Sequence, residues 1–239
     1  MKKEMILWTG MLGLMCCLSV NAQSDVAWNI GADVVSSYIW RGQDFGGMAV
    51  QPGLRVGCHG LSLSAWGSYG LTDKKDTREL DFTLAYETGG LTAGVTDYYC
   101  LTDGSDYAKL DYFEYRARET AHVFEAFVSC DFGLFSLSWY TNFAGADGLD
   151  SQGERAYSSY VEAAAPFQWQ ETDFRLAIGA VPYATDFYAN ADSGFSVTYV
   201  ALTATKTVPV TESSSMPVFL TIAANPSTSK CYMTFGISF

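Results

Sequence analysis

Charge is scarce in this sequence and leans to one sign. Only 17% of the 239 residues are charged, with 14 Lys and Arg against 26 Asp and Glu, a formal charge of −12. A nucleic-acid-binding domain carries a basic stripe; none is present, which excludes nucleic acid as a partner. Beyond the first twenty residues no apolar run approaches the roughly 18 residues with which a helix crosses a bilayer, so a helical membrane protein is excluded as well. Metal and cofactor chemistry is poorly supplied, because His59 and His122 are the only histidines and no Cys-x-x-Cys occurs. Proline is held to six residues. Disorder is excluded from the other direction, since 49% hydrophobic and 15% aromatic content is too rich for an unfolded chain. What the chain has in quantity is glycine, 22 residues, and tyrosine, 15. That balance is typical of a β protein.

The first twenty-two residues read as an export signal. Lys2 and Lys3 open it, an apolar stretch runs from Met5 to Leu18, and Val20-Asn21-Ala22 supplies small or modest residues before a cleavage site at Gln23. Cys16 and Cys17 raise a lipoprotein alternative, but neither follows small residues in lipobox order. The expected organisation is a cleaved signal over 1–22 and a single domain over 23–239. That domain keeps four cysteines, Cys58, Cys100, Cys130 and Cys231, each within or ending an alternating segment. There cysteine behaves as a small hydrophobe, although four would permit two disulfides in an exported protein.

The dominant signal is a period of two. Trp28, Ile30, Ala32, Val34, Tyr38 and Trp40 alternate with Asn29, Gly31, Asp33, Ser37 and Arg41. Leu54 and Val56 flank Arg55; Leu61, Leu63 and Ala65 oppose Ser62, Ser64 and Trp66; Leu80, Phe82 and Tyr86 oppose Asp81, Thr83 and Glu87. The rhythm returns with Phe124 and Ala126 about Glu125, with Leu137 and Trp139 against Ser138 and Tyr140, and through 156–167, 173–183, 217–224 and 230–239, with Glu162 and Arg175 on polar faces. In 194–206 the parity set by Phe195, Val197 and Tyr199 is broken by Val200 and Leu202. Period two is the mark of strands, and about twelve are expected.

Connections alternate too. His59-Gly60, Gly89-Gly90 and 131–133 are tight, whereas 42–48, 72–78, 101–121, 145–155 and 184–193 are long and rich in Asp, Gly and Ser. An even strand count with short turns at one end and long loops at the other is the habit of bacterial outer-membrane barrels, and strands of about 10 residues fit the tilted span. The polar faces hold Ser, Thr, Gly and few charges, where a soluble sandwich would present Lys and Glu. Aromatics mark both ends of the apolar faces: Trp28 and Trp169 at the turns, Trp40, Tyr69, Trp139 and Phe143 at the loops. The expected fold is an all-β, closed antiparallel transmembrane barrel in the bacterial outer membrane, with lipid around it. The alternative is an exported soluble sandwich.

The run Asp33–Asp44, with Ser36, Tyr38, Arg41 and Gly42, resembles the first strand of the TorF-type porin family, largely uncharacterised outer-membrane proteins in which an Asp-rich strand leads into Ser-x-Tyr-x-x-Arg-Gly. Gln51-Pro52-Gly53, the segment 64–68 and the Glu79–Phe82 opening with its turn to Tyr98-Tyr99 are similar to the strands that follow. The resemblance covers residues 26–100, and Cys100-Leu101-Thr102 departs from the family's aromatic-Pro-Gly exit. It implies a barrel and passive transport and carries no catalytic set.

Parity assigns Asp33, Arg41, Arg55, Trp66, Asp81, Glu87, Glu125, Tyr140, Glu162 and Arg175 to the lumen, as pore-lining side chains and ion pairs. Twelve strands fall between an eight-stranded barrel filled by side chains and the 16–18 strands of open channels, so a narrow pore for small solutes or ions is expected. The competing readings are a plugged structural or adhesive barrel and a lipid-active enzyme with His122 as base. No Gly-x-Ser-x-Gly elbow supports the enzyme. The acidic pairs Asp103/Asp106 and Asp147/Asp150 lack calcium-loop spacing and read as solvated loop.

Overall fold

Strict alternation lets one strand bury one face and present the other, and twelve such strands close on themselves in a computed structural model that describes residues 26–73, 76–101, 111–116, 119–188, 194–211 and 214–239. The wall consists of β1 (Val26–Val35), β4 (Ala49–Cys58), β5 (Leu61–Gly70), β6 (Arg78–Thr88), β7 (Leu91–Leu101), β8 (His122–Asp131), β9 (Ser136–Gly145), β10 (Ser159–Trp169), β11 (Thr172–Val181), β12 (Ser196–Pro209), β13 (Ser215–Asn225) and β14 (Lys230–Ser238). Between β1 and β4, the short strands β2 (Tyr38–Trp40) and β3 (Gln43–Gly46) form a hairpin of their own. The expected signal over 1–22 lies outside the described residues.

Every wall pairing is antiparallel. β1 and β4 are paired along ten positions, from Val26↔Cys58 to Val35↔Ala49. The ring closes where β1 meets β14, and that seam is short: Asp33↔Ser238, Val34↔Ile237 and Val35↔Gly236, extended by mutual amide–carbonyl bonds between Ala32 and Phe239 at 3.2 and 2.9 Å.

At one end the strands are joined by 59–60, 89–90, 132–135, 170–171 and 210–214. Gly89 and Gly90 both have positive φ (57° and 84°), which a two-residue hairpin turn matched to strand twist requires. Longer connections occupy the other end, except the last, 226–229, which needs only four residues.

Outward side chains such as Ile30, Leu63, Leu84, Ile178, Ile222 and Met233 are exposed, while Ser62, Ser64, Thr96, Ser129, Ser138 and Thr205 are buried inside. Inner hydroxyls pair across strands: Ser129 with Ser138 at 2.8 Å, Thr83 with Thr96 at 3.0 Å, Thr203 with Thr221 at 2.8 Å. Aromatic rings lie over glycines on the neighbouring strand, Phe127 over Gly94 and Phe219 over Gly236, where an added Cβ would strike the ring.

Two expectations change. The first strand does not run through Trp40: it ends at Val35, where Ser36 and Ser37 are bonded to β14 through Phe235 and Thr234 and the chain turns inward. Trp40 therefore stands inside the barrel, not in the outer loop-side girdle, and Tyr38 is buried with it. The other aromatics of both girdles, Trp28, Trp169, Tyr69, Trp139 and Phe143, are exposed on the outside. The broken parity in 194–206 comes from a bulge: Gly179 faces Tyr199 and Ala180 faces Val197, so Thr198 is the extra residue. All four described cysteines are free.

Candidate functional site

The hairpin that leaves the wall crosses the lumen. Its turn is Arg41-Gly42, both at positive φ (49° and 82°), between Trp40 and its partner Gln43. That φ is unfavourable for arginine, and three anchors hold it. Arg41 donates from Nη1 to Glu125 Oε2 at 2.5 Å and from Nη2 to Glu125 Oε1 at 3.0 Å, a two-pronged pair with a β8 carboxylate. Nη1 also donates to the Tyr188 hydroxyl at 2.5 Å, and Tyr98 donates to Glu125 Oε1 at 2.9 Å. The Gly42 carbonyl accepts from Asn225 Nδ2 at 3.0 Å and from the Tyr232 hydroxyl at 3.3 Å, on the β13–β14 side. A Cβ on Gly42 would overlap the Thr198 carbonyl, so the tip sits flush against β12.

The guanidinium is boxed by rings as well. Its carbon lies 4.6 Å from the Trp40 centroid, 4.2 Å from Tyr140 and 4.6 Å from Tyr160, distances at which a cation is attracted to an aromatic face. Tyr188 comes from the loop after β11 and stacks on Tyr160, with ring centroids 5.8 Å apart. Tyr38 donates to Glu79 Oε2 at 2.8 Å, tying the hairpin to β6. Its base is held from outside the wall, where Asp76 accepts from the amides of Gly47, Thr72 and Asp73 at 3.2, 2.9 and 2.8 Å. These bonds, the Asp73 amide foremost, hold the Asp76 carboxyl below its usual range. A carboxylate depressed in the folded state stabilises above the unfolded value and is lost as pH falls through the folded one. Trypsin cleavage at Arg41 should therefore stay slow at neutral pH and in Asp76→Asn become faster; an unchanged rate would place the restraint elsewhere.

Below the hairpin lies a cavity of about 240 Å³, roofed by Ile39, Trp40 and Arg41 and reaching Glu87 and Thr92 beside the Gly89-Gly90 turn. Of the residues that parity assigns to the lumen, Arg41, Arg55, Trp66, Asp81, Glu87, Tyr140, Glu162 and Arg175 line this cavity. Glu125 is fully buried behind Arg41, and Asp33 is buried beside the seam. Arg175 Nη2 donates to Glu162 Oε1 at 2.5 Å, and Tyr160 donates to Glu162 Oε2 at 3.1 Å. Arg55 stands across the ladder from Asn29 and Ser64, while Asp33 is opposite Gln51, four positions nearer the loops.

Two participants lie outside the set assigned from the sequence. Glu79, two residues before Asp81 on the inner face, is buried; extending the β6 parity by one step finds it. Tyr188 lies in a loop, and the adjacent Phe187-Tyr188 in a polar segment is its sole sequence mark.

His122 shares the outer face with Phe124. Its Nδ1 is 2.7 Å from Asp97 Oδ1 and its Nε2 is 2.7 Å from the Tyr112 carbonyl, with Tyr99, Tyr112 and Tyr115 rings around it. Nε2, the nitrogen away from Asp97, meets the Tyr112 carbonyl rather than a serine hydroxyl. Asp147 accepts from Asn142 Nδ2 and the Gly148 amide, and Asp150 from the Gln152 and Glu154 amides; both shape loops. Asp103 and Asp106 lie outside the described residues.

No family model and no curated protein matches the chain. Among solved structures, one from work on in-meso crystallization of membrane proteins is 9% identical over 88% of this chain and 82% of that one, with a TM-score of 0.43. The outer membrane protein OpdK from Pseudomonas aeruginosa is 16% identical over 92% of this chain and 68% of its own, at 0.40. An improved structure of the same protein, OccK1 (OpdK), gives 15%, 92%, 67% and 0.38.

Proposed function

We propose that the chain is a bacterial outer-membrane barrel, exported by the 1–22 signal, that offers small solutes or ions a narrow passage constricted by the β2–β3 hairpin. The observation that carries this reading is the inverted wall: exposed Ile, Leu, Met and Trp encircle the outside and Ser, Thr and ion pairs fill the inside. An apolar surface of that extent is unfavourable in water by about 25 cal/mol per Å², and it calls for a hydrophobic surrounding. Lipid meets that need around a closed barrel, whose backbone groups are satisfied within the ring.

A plugged barrel with a structural role is the second reading, favoured by the buried Arg41–Glu125 anchor. Planar-bilayer recording on the refolded, heat-modifiable mature chain separates the two. Small steps, below those of 16–18-stranded porins, are expected. Insertion without steps would leave the structural role, and a monodisperse protein without detergent would remove the membrane reading.

A further inference from the structure

Arg41 is held as a ligand is held. Its guanidinium comes from the hairpin, but the groups around it come from elsewhere: Glu125 from β8, Tyr140 from β9, Tyr160 from β10 and Tyr188 from the loop after β11. Glu125 accepts from both Nη atoms and the Tyr188 hydroxyl accepts from Nη1, while the central carbon lies over the Tyr140 and Tyr160 rings at 4.2 and 4.6 Å. These contacts answer the two properties that set a guanidinium apart from an ammonium, a planar fork of donors and a flat face that stacks on rings.

The cage does not need the hairpin to hold its shape. Tyr98 donates to Glu125 Oε1 at 2.9 Å and orients the carboxylate from β7. The rings brace one another, Tyr140 against Tyr160 with centroids 6.1 Å apart and Tyr160 against Tyr188 at 5.8 Å. Were the hairpin to lift, Trp40 would go with Arg41, and the carboxylate and these tyrosines would remain on their strands and loop. The cavity gives access: Tyr98, Tyr140 and Tyr160 line it, and Arg41 is part of its roof. Arg41 also stands at a positive φ of 49°, a conformation unfavourable for arginine that release would relax. We infer that the Glu125 cage is a binding site for guanidinium-bearing solutes, with Arg41 as its resident occupant, and that solute and hairpin exclude each other. The inference deepens the passage proposed above, on which it rests for the solute's access, by naming what displaces the constriction.

Equilibrium binding keeps the two apart, since it needs no conduction. Calorimetry on the detergent-refolded, heat-modifiable barrel would use methylguanidinium, methylammonium as a charge without the fork, and methylurea as a neutral shape control. Arg41→Ala empties the cage and should bind methylguanidinium saturably, with methylammonium about tenfold weaker or more and methylurea silent. Adding Glu125→Gln should weaken methylguanidinium about tenfold or more, the effect of removing a charged partner. The wild type should bind it saturably but more weakly, because only its hairpin-out fraction is competent. If Arg41→Ala does not refold alone, methylguanidinium in the refolding buffer should restore the heat-modifiable form where methylammonium and methylurea do not, since a ligand of the folded state stabilises it. Neither binding nor rescue in Arg41→Ala, equal binding of methylammonium, or indifference to Glu125→Gln would each overturn the site. Wild-type binding as tight as that of Arg41→Ala, or none at all, would overturn the exchange with the hairpin. The expected binding without conductance steps would keep the site and remove the pore.

Discussion

Replacing the hairpin Tyr38–Gly46 by a short glycine bridge, together with Glu125→Gln, is expected to raise single-channel conductance several-fold while leaving a heat-modifiable barrel. The wall does not depend on the hairpin. β1 and β4 are paired up to Val35↔Ala49, and a terminal pair of that kind is closed by a turn of two to five residues. The hairpin meanwhile occupies the lumen with Tyr38, Ile39, Trp40 and Arg41. Glutamine at 125 removes the charge that loss of Arg41 would strand. Unchanged conductance in an inserted, heat-modifiable variant would mean that the narrowest point lies elsewhere.

Glu125→Ala in the intact chain should have the largest effect on stability. It leaves the Arg41 guanidinium buried, with rings and the Tyr188 hydroxyl for company and no counter-charge. Breaking a buried pair from one side is worth about 3–5 kcal/mol, and urea unfolding followed by heat-modifiability should show that loss. Glu125→Gln keeps an acceptor and should lose less. Arg41→Met with Glu125→Leu should recover most of the stability, because apolar replacement of a buried pair is often neutral. A double-mutant cycle through Arg41→Met and Glu125→Leu measures the coupling; a cycle that closes to zero would make the pair incidental.

The barrel was legible because its wall keeps a period of two apart from the bulge in β12, and outward-facing and inward-facing residues of Leu61–Gly70 or Arg78–Thr88 separate by parity alone. The hairpin was not legible for the same reason. Tyr38 and Trp40 continue the parity of Trp28 to Val34, so alternation gives no sign of where the chain leaves the wall. The break is marked by Ser36-Ser37, whose groups bond to β14, and by Arg41-Gly42, a tight turn without the usual Asn-Gly spelling. The irregular parity near Tyr199 announced a disturbance, but only the register locates it at Thr198. Of the charged residues that parity turns inward, those on wall strands line the cavity or are buried, whereas Arg41 reaches the interior from a turn. Its partner could not be read, because pairing across a lumen depends on distances between strands that sequence spacing does not encode.

The short seam bears on how the ring comes together in time. Every other joint in the wall links strands adjacent in sequence apart from the intervening hairpin, and each can zip as a local event. The joint between Asp33 and Ser238 must instead find its partner across two hundred residues, with three register pairs to reward the encounter. Ordering so much chain before any bond forms makes such contacts slow, and a joint with few bonds is among the first to open. The molecule thus has a joint expected to form last in assembly and to open first.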